Sequence, residues 1–470
     1  MELTFSLDSK NKSPLYEQIY NYIKSEIHAG TLSAASKLPS TRALAKHLQI
    51  SRSTVELAYE QLISEGYVET IPWKGYYVSE LSGMYHIETE EGQKRSEVQE
   101  VRENYRYDFT SNGIELEHFP YATWRRLTKK VQNEQENDIF QLGDQKGERI
   151  FRETIASYVH QARGVNCDPG QVIIGAGNDY LLLLLQFLIG SSHVIAMENP
   201  GYLHGYRILS RLFERVEAVG SNKNGMSVEE LGQTEADIAY VMPSHQYPLG
   251  TVMPIKRRME LLNWAYEKPG RYIIEDDYDS EFRYKGKPIP ALQGNDRQGK
   301  VIYLGTFSKA VAPSIRISYL ILPKELLKIY EEKGRALSST VSRIDQMILN
   351  EFITGGYMER HLNKMRGIYK MKHDTLMNAL KVFPKSCRIK GENAGVHLLL
   401  ELPGGSDENW FVEEAAKRGI HIQGLTGSSF AEGREIPVTT LILGYAVLKE
   451  EDIQPAVDIL FELYGKRIGK

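Results

Sequence analysis

Short apolar runs recur through the middle of the chain: QVIIGAG (171–177), HVIAMENPG (193–201), DIAYVMPSH (237–245), RYIIEDDYD (271–279) and VIYLGTFSK (301–309). Helix-length segments separate them. Strands alternating with helices predict an α/β domain with a mostly parallel sheet. Strands joined in that way point in one direction, so their polar and glycine-rich ends gather at one edge, where such sheets bind ligands. The pattern sets in near residue 107 and directs the search for chemistry to those strand ends.

Residues 1–80 follow a different rule. PLYEQIYNYIKSEIHAG (14–30) puts Leu15, Ile19, Ile23 and Ile27 on one stripe, with Pro14 at its start and Gly30 at its end. That spacing predicts an amphipathic helix. In LPSTRALAKHLQI (38–50), Ser40 or Thr41 caps a short second helix that packs Leu44 and Leu48. In SRSTVELAYEQLISEGYV (51–68), Ser51 is the N-cap, Val55, Ala58 and Leu62 form the buried face, and Gly66 is the stop. YVETIPWKGYYVSE (67–80) reads as two short strands around a Pro-Trp-Lys-Gly turn. Three helices and a hairpin make a winged helix-turn-helix. Arg42 opens the second helix, while Ser51, Arg52, Ser53 and Thr54 open the third, where side chains meet base edges in the major groove. Lys74 and Gly75 sit at the wing tip, where a glycine lets backbone approach phosphate. Glu56, Glu60 and Glu65 are expected to face away from DNA. A solvated surface pair is the bland reading of Arg42 and Arg52.

The net charge of −4 gives no hint of nucleic acid for the chain as a whole, so DNA binding rests on this local pattern. Residues 81–106 are dense in charge without a steady apolar period and read as a linker, with a charged surface helix as the alternative. YLLLLLQFLIG (180–190) is too short to span a bilayer. MELTFSLDSK lacks the basic and apolar regions of a signal peptide. Cys167 and Cys387 make neither a disulfide framework nor a cysteine metal site. The expectation is a cytoplasmic protein with no membrane partner and no metal.

Three features stand at the strand ends. After QVIIG, the turn Ala176-Gly177-Asn178 opens a helix and presents N–H groups to an anion, although many such turns hold glycine for other reasons. Glu275, Asp276, Asp277 and Asp279 crowd the end of another strand. By themselves they fit a cation, a protonated base or a solvated acidic loop. Lys309 follows a third strand, and Arg316 lies among apolar residues beyond it. A lysine in a partly dry pocket has a lowered pKa and suits Schiff-base chemistry. One cofactor uses an amine, an acid, a phosphate seat and a buried arginine together: pyridoxal 5′-phosphate.

IIEDDYDSEF, MENPGY, SHQYPLGT and GTFSK followed by Pro313 and Arg316 together resemble the fold-type I aminotransferases. Residues 1–80 resemble the GntR-type winged helix. The fusion is similar to the MocR family of bacterial transcription regulators, nearest to a GABA-responsive member. The resemblance implies a winged helix at 1–80, a linker at 81–106, and an aminotransferase-like effector domain at 107–470. That domain would be a PLP-dependent transferase fold of type I, with a small C-terminal α+β subdomain from about residue 350. It further implies that Lys309 forms the Schiff base, Asp276 pairs with the pyridinium nitrogen, Tyr278 bonds the ring hydroxyl and Tyr202 stacks on the ring. Ala176, Gly177, Asn178, Thr306, Ser308 and Arg316 would contact the phosphate. A head-to-tail homodimer on double-stranded operator DNA is implied as well.

The departures bear on function. Where these aminotransferases carry Asn-Pro-Thr-Gly, the chain has Tyr247-Pro248-Leu249-Gly250, and where an arginine clamps the substrate α-carboxylate it has Ile442. An isoleucine makes no bidentate ion pair, and its loss would remove about 2–4 kcal/mol of positioning. Two effector-side arginines of the GABA-responsive regulator align with His204 and Gly427. His204 reads equally as a polar residue at a helix start. The expected function is a sensor rather than an enzyme, with at most a transamination half-reaction. It would answer to an amine, an amino acid, a dipeptide or pyridoxal phosphate itself. The alternatives are an active aminotransferase with a fused DNA-binding domain, and a regulator with a vestigial pocket that senses a protein.

Overall fold

Pro14 holds φ at −55°, already suited to a helix, and α1 (Leu15–His28) starts after it. Ile19, Ile23 and Ile27 are buried along its inner stripe. α2 (Thr41–Leu48) is capped by Ser40, whose Oγ accepts from the Ala43 N–H at 3.2 Å, so Thr41 is free to be buried instead. α3 (Arg52–Ser64) is capped in the same way by Ser51 and buries Val55, Ala58, Tyr59 and Leu62. Strands β1 (Val68–Ile71) and β2 (Gly75–Val78) pair antiparallel. Their turn puts the fully exposed Trp73 at φ +65°, a conformation that side-chain-bearing residues seldom adopt. Ile19, Ile23, Leu44, Val55, Leu62 and Val78 close one small core.

The structure, a computed structural model, describes residues 7, 13–80, 105–111, 113–134, 138–284, 288–392, 394–403, 407–430 and 438–468. Its chain divides into two compact units, Met1–Val101 and Arg102–Lys470. Most of the segment read as a linker, 81–104, lies outside the described residues.

The second unit begins with β3 (Tyr107–Asp108), α4 (Tyr121–Glu134) and α5 (Arg149–Arg163). Its main sheet holds β4 (Val172–Gly175), β5 (Val194–Asn199), β6 (Arg215–Asn222), β7 (Gly225–Met226), β8 (Ile238–Val241), β9 (Tyr272–Asp277), β10 (Val301–Thr306) and β11 (Ser318–Ile321), in the order β4-β11-β10-β9-β8-β5-β6-β7. β6, β5, β8, β9 and β10 run parallel, while β11 lies antiparallel between β10 and β4. Side chains alternate faces along each strand. Ile173, Ile195, Ile274 and Ile302 therefore pack under α6 (Asn178–Ile189) and α7 (Leu203–Leu212). Val172 and Tyr303 pack on the opposite face under α5, and Ala196 and Ile273 under helix Ile255–Tyr266. Strands covered on both faces have no polar side, which is why each read as a nearly unbroken apolar run.

Beyond the main sheet lie β12 (Arg388–Lys390), β13 (His397–Leu402), β14 (Ile420–His421), β15 (Gln423–Gly424) and β16 (Thr439–Gly444). Four of these form an antiparallel sheet, β12-β13-β16-β15, and β14 pairs parallel with β3. One apolar core, including Phe109, Phe151, Leu398 and Leu443, runs from the main sheet into this region. Among the described residues no helix is long and apolar enough to cross a membrane.

Candidate functional site

The carboxyl ends of β4, β9 and β10 surround a cavity of ≈ 190 Å³ lined by Asn178, Asp276, Tyr278, Asp279, Thr306, Ser308, Lys309 and Arg316, with Tyr202, His204 and Tyr247 completing one side. A hollow of ≈ 760 Å³ lies elsewhere, between α5 and helix Tyr357–Ala379, but no lysine lines it. The chemistry points to the smaller space.

Lys309 donates to the Ser111 carbonyl at 2.6 Å. Burial pushes its pKa down from 10.5 to about 8, with the charge of Asp279 pulling the other way. Part of its population is then an unprotonated nucleophile near neutrality. Asp276 is 3 % exposed. Burial raises it to about 7, the charges of Asp277 and Asp279 push in the same direction, and a hydrogen bond from Tyr240 opposes. Asn178 Nδ2 lies 3.4 Å from its Oδ1. A carboxylate this short of cations is suited to a protonated base.

The four acids at the end of β9 are buried, so the reading as a solvated loop is corrected. They also diverge. Glu275 accepts from the Leu292 and Gln293 N–H groups at 2.7 and 2.8 Å, Asp277 pairs with Arg163 at 2.7 Å, and Asp279 lies 2.8 Å from His245 Nδ1. The strand pleat sends 275 and 277 to one face and 276 to the other. Among the described residues no group of three His, Cys, Asp or Glu is arranged to hold a metal ion.

Arg316 was expected to be buried and is not. The turn Pro313–Ile315 interrupts the chain before β11 and leaves Arg316 at φ +50°, which lifts its side chain to the cavity mouth with 52 % exposure. There Nη2 stands 3.4 Å from Asp179, which also meets His204 Nε2 at 3.2 Å. Gly177 is favoured by its own φ of +91°, and its missing Cβ leaves room for the Arg316 guanidinium. The N–H groups of Ala176 and Gly177 are donated to Thr340 Oγ1 and to the Gly175 carbonyl, and neither residue lines the cavity. Thr306 Oγ1 accepts from the Ser308 N–H and from Ser318. Gly427 is not brought to the cavity. It lies on the turn Thr426–Ser428, whose Ser428 carbonyl takes the Gly201 N–H.

Ile442 is buried against Leu249, Leu399 and Leu425, an apolar cluster in which no carboxylate clamp could stand. Tyr247 fills the place of the missing asparagine and receives a hydrogen bond from Ser111 at 3.0 Å. Ser111, Asp179, His245 and His397 escaped sequence reasoning. His245 lies inside SHQYPLGT, one of the segments that carried the resemblance, and Asp179 is next to Asn178; nothing local marks Ser111 or His397.

In the first unit, Arg42, Ser51, Arg52 and Ser53 are exposed, Thr54 half-exposed, and Lys74 and Gly75 exposed at the wing. The expectation that Glu56 faces away from DNA conflicts with the placing of Arg52 at the base edges. Glu56 shares a face with Arg52, pairing with it at 2.7 Å, because residues four apart stack on a helix. Glu65 does turn away, toward Lys24 and Tyr20 of α1.

The family model described as bacterial regulatory proteins, gntR family, matches residues 15–78, and that for aminotransferase class I and II matches residues 108–460. The chain is 38% identical over 462 residues to the uncharacterized HTH-type transcriptional regulator YhdI of Bacillus subtilis, with 98% of each chain covered. It is 30% identical over 476 residues to the probable rhizopine catabolism regulatory protein MocR of Rhizobium meliloti, covering 97% of this chain and 94% of that one. Among solved structures, a kynurenine aminotransferase of Pyrococcus horikoshii superposes with a TM-score of 0.69 at 24% identity, over 77% of this chain and 91% of its own. At that identity the likeness is one of fold.

Proposed function

Because the chain belongs to the MocR family of transcription regulators, a gntR-type DNA-binding domain followed by an aminotransferase class I and II domain, we propose that it holds pyridoxal 5′-phosphate at Lys309 and senses a small amine or amino acid there. Pyridoxal phosphate itself is the other candidate effector. The observation that carries this reading is Lys309, an amine lowered to about 8 in a cavity that also presents the buried Asp276. When bound, the cofactor supplies an aldehyde carbon open to amines and a ring that withdraws electrons from it.

The residues present suit that group. Asn178 Oδ1 is buried without a partner, and Gly177, at φ +91°, lies beside the Arg316 guanidinium. Arg316, Thr306, Ser308 and the amino end of α6 would hold the phosphate. Asp276 would keep a proton on the pyridine nitrogen, Tyr202 would stack on the ring, and Tyr278 and Tyr247 would face the ring hydroxyl. His204, on the rim with Asp179, would meet the effector. The apolar setting of Ile442 favours sensing over turnover, since no guanidinium stands there to orient an α-carboxylate. A bound amine would shift the balance between two conformers of the regulator, which we take to be a cytoplasmic head-to-tail homodimer.

Absorbance of the purified full chain with added pyridoxal phosphate tests the reading. A visible band that moves with one amine and stays moved, with no keto product, is the expected result. Decay of the band with release of keto product would make the protein an aminotransferase. Absence of any band would remove the cofactor.

On the DNA side, Glu56→Ala should tighten binding to operator and unrelated DNA alike by about fivefold at low salt, because it frees Arg52 and removes a charge that repels phosphate. Fluorescence anisotropy on both duplexes checks this. A loss confined to the operator would instead assign Glu56 to a base edge.

A further inference from the structure

His245 lies behind the cavity wall and is 2 % exposed. Its Nδ1 is 2.8 Å from Asp279 Oδ2 and 3.0 Å from the Tyr278 hydroxyl, which is itself hydrogen-bonded to Asp279. The ring is wedged against Gly395, where a Cβ would come within 2.0 Å of Cε1, and Gly250 approaches Nε2 from another side. Nε2 has no partner, which places the ring proton on Nδ1, donated to Asp279. His245 thus touches the two groups that present a carboxylate and a hydroxyl to the cavity, while contributing no atom to its lining.

Asp279 is the carboxylate whose charge acts on Lys309. The other titratable groups lining that cavity are Asp276 within β9, Tyr278 just after it, Tyr202, Tyr247 and His397, and His204 with the pair Asp179–Arg316 at the mouth. His397 donates Nε2–H to the Pro248 carbonyl at 2.9 Å, and burial pushes its pKa down to about 4, so it adds no charge near neutrality. Asp276 is committed to Tyr240 and Asn178. Asp279, held by His245, is left as the counter-charge of Lys309.

We propose that His245 is a positioning residue, holding through its Nδ1–H the Asp279 carboxylate and the Tyr278 hydroxyl on the wall of the cavity that contains Lys309, and so setting the protonation of the lysine nitrogen from outside the cavity. This deepens, and rests on, the reading of Lys309 as the cofactor lysine. Without the donated proton, Asp279 is held by the Tyr278 hydroxyl alone and its attraction for a proton on the Lys309 nitrogen weakens. That nitrogen then loses its proton at lower pH.

The test is a pH titration of the visible band of the full chain with added pyridoxal phosphate, for the unaltered protein, His245→Asn, His245→Gln and Asp279→Asn. The side-chain N–H of asparagine falls where Nδ1–H lies, and that of glutamine falls where Nε2 lies. His245→Gln should lower the midpoint by about one pH unit and Asp279→Asn by at least as much, while His245→Asn should hold it within about 0.3 units. A glutamine variant that titrates like the unaltered chain, or two His245 variants that shift alike, would overturn the proposal and leave the cofactor reading intact. If the glutamine variant fails to fold, an unmoved midpoint in Asp279→Asn overturns it just as well. No band in the unaltered chain would remove both.

Discussion

Lys309→Met should abolish the visible band with added pyridoxal phosphate and, without cofactor, make the second unit more stable at neutral pH. Both effects come from the same buried amine. The lysine is lowered from 10.5 to about 8 by burial, a shift equivalent to roughly 3 kcal/mol of destabilisation while the amine is charged in both folded and unfolded chains. Below pH 8 that penalty is present in full. Between about 8 and 10.5 the folded lysine is neutral while the unfolded one still carries its proton, so the stability of the unaltered protein rises with pH through this window. Methionine removes the penalty but leaves the Ser111 carbonyl without its donor, at a cost of about 1 kcal/mol. The net gain is therefore about 2 kcal/mol at pH 7, shrinking toward zero or below by pH 10.5. Urea unfolding at several pH values, followed in parallel with the spectrum, reads both. A variant less stable at pH 7 would mean that the lysine is not under the burial strain argued here.

The opposite result is expected one strand layer away. Arg163 and Asp277 form an ion pair at 2.7 Å, with side chains 5 % and 3 % exposed. Burial alone would push Asp277 up, yet Arg163 and the Tyr303 hydroxyl, the latter at 2.5 Å, hold it below the usual range. Asp277→Ala leaves a buried guanidinium without its ion-pair partner and should destabilise by about 3–5 kcal/mol. Replacing both partners with apolar residues, Arg163→Met with Asp277→Leu, should recover most of that loss. Because the depressed carboxyl is ionised above its unfolded value of 3.8, its contribution is complete at neutral pH and is lost only as pH falls below that value through the folded one. Chemical denaturation of the single and double variants decides the point. Equal losses in both would show that the pair serves by packing rather than by charge.

The strands that carry the chemistry were legible because a sheet covered on both faces leaves long apolar runs, and a run that stops at Lys309 or Asp276 announces its end. The start of β11 was harder, since Arg316 stands two residues before it and reads as part of an apolar stretch. Only its left-handed backbone shows that the side chain leaves the interior. His245, His397 and Ser111 come to Lys309 from separate segments, and no spacing along the chain encodes which distant side chains will share a wall. Gly427 shows the converse weakness: aligned with the pocket, it lies on the turn Thr426–Ser428 and does not line the cavity. Glu56 and Arg52 share a face for a simpler reason: the four-residue step that buries Val55 and Tyr59 carries 52 and 56 together on the outside.

The pairing of β3 with β14 has a consequence in time. All contacts of the first core fall within residues 7–78, so that unit can close as soon as its own segment has left the ribosome. Tyr107 and Asp108 must wait for Ile420 and His421, and Ser111 is anchored beside Lys309 only after they arrive. A nascent or truncated chain thus completes its gntR-type DNA-binding unit before the cavity around Lys309 is closed. Truncation between residues 80 and 420 should yield a chain that keeps the DNA-binding unit but lacks the strand pairing that completes the Lys309 cavity.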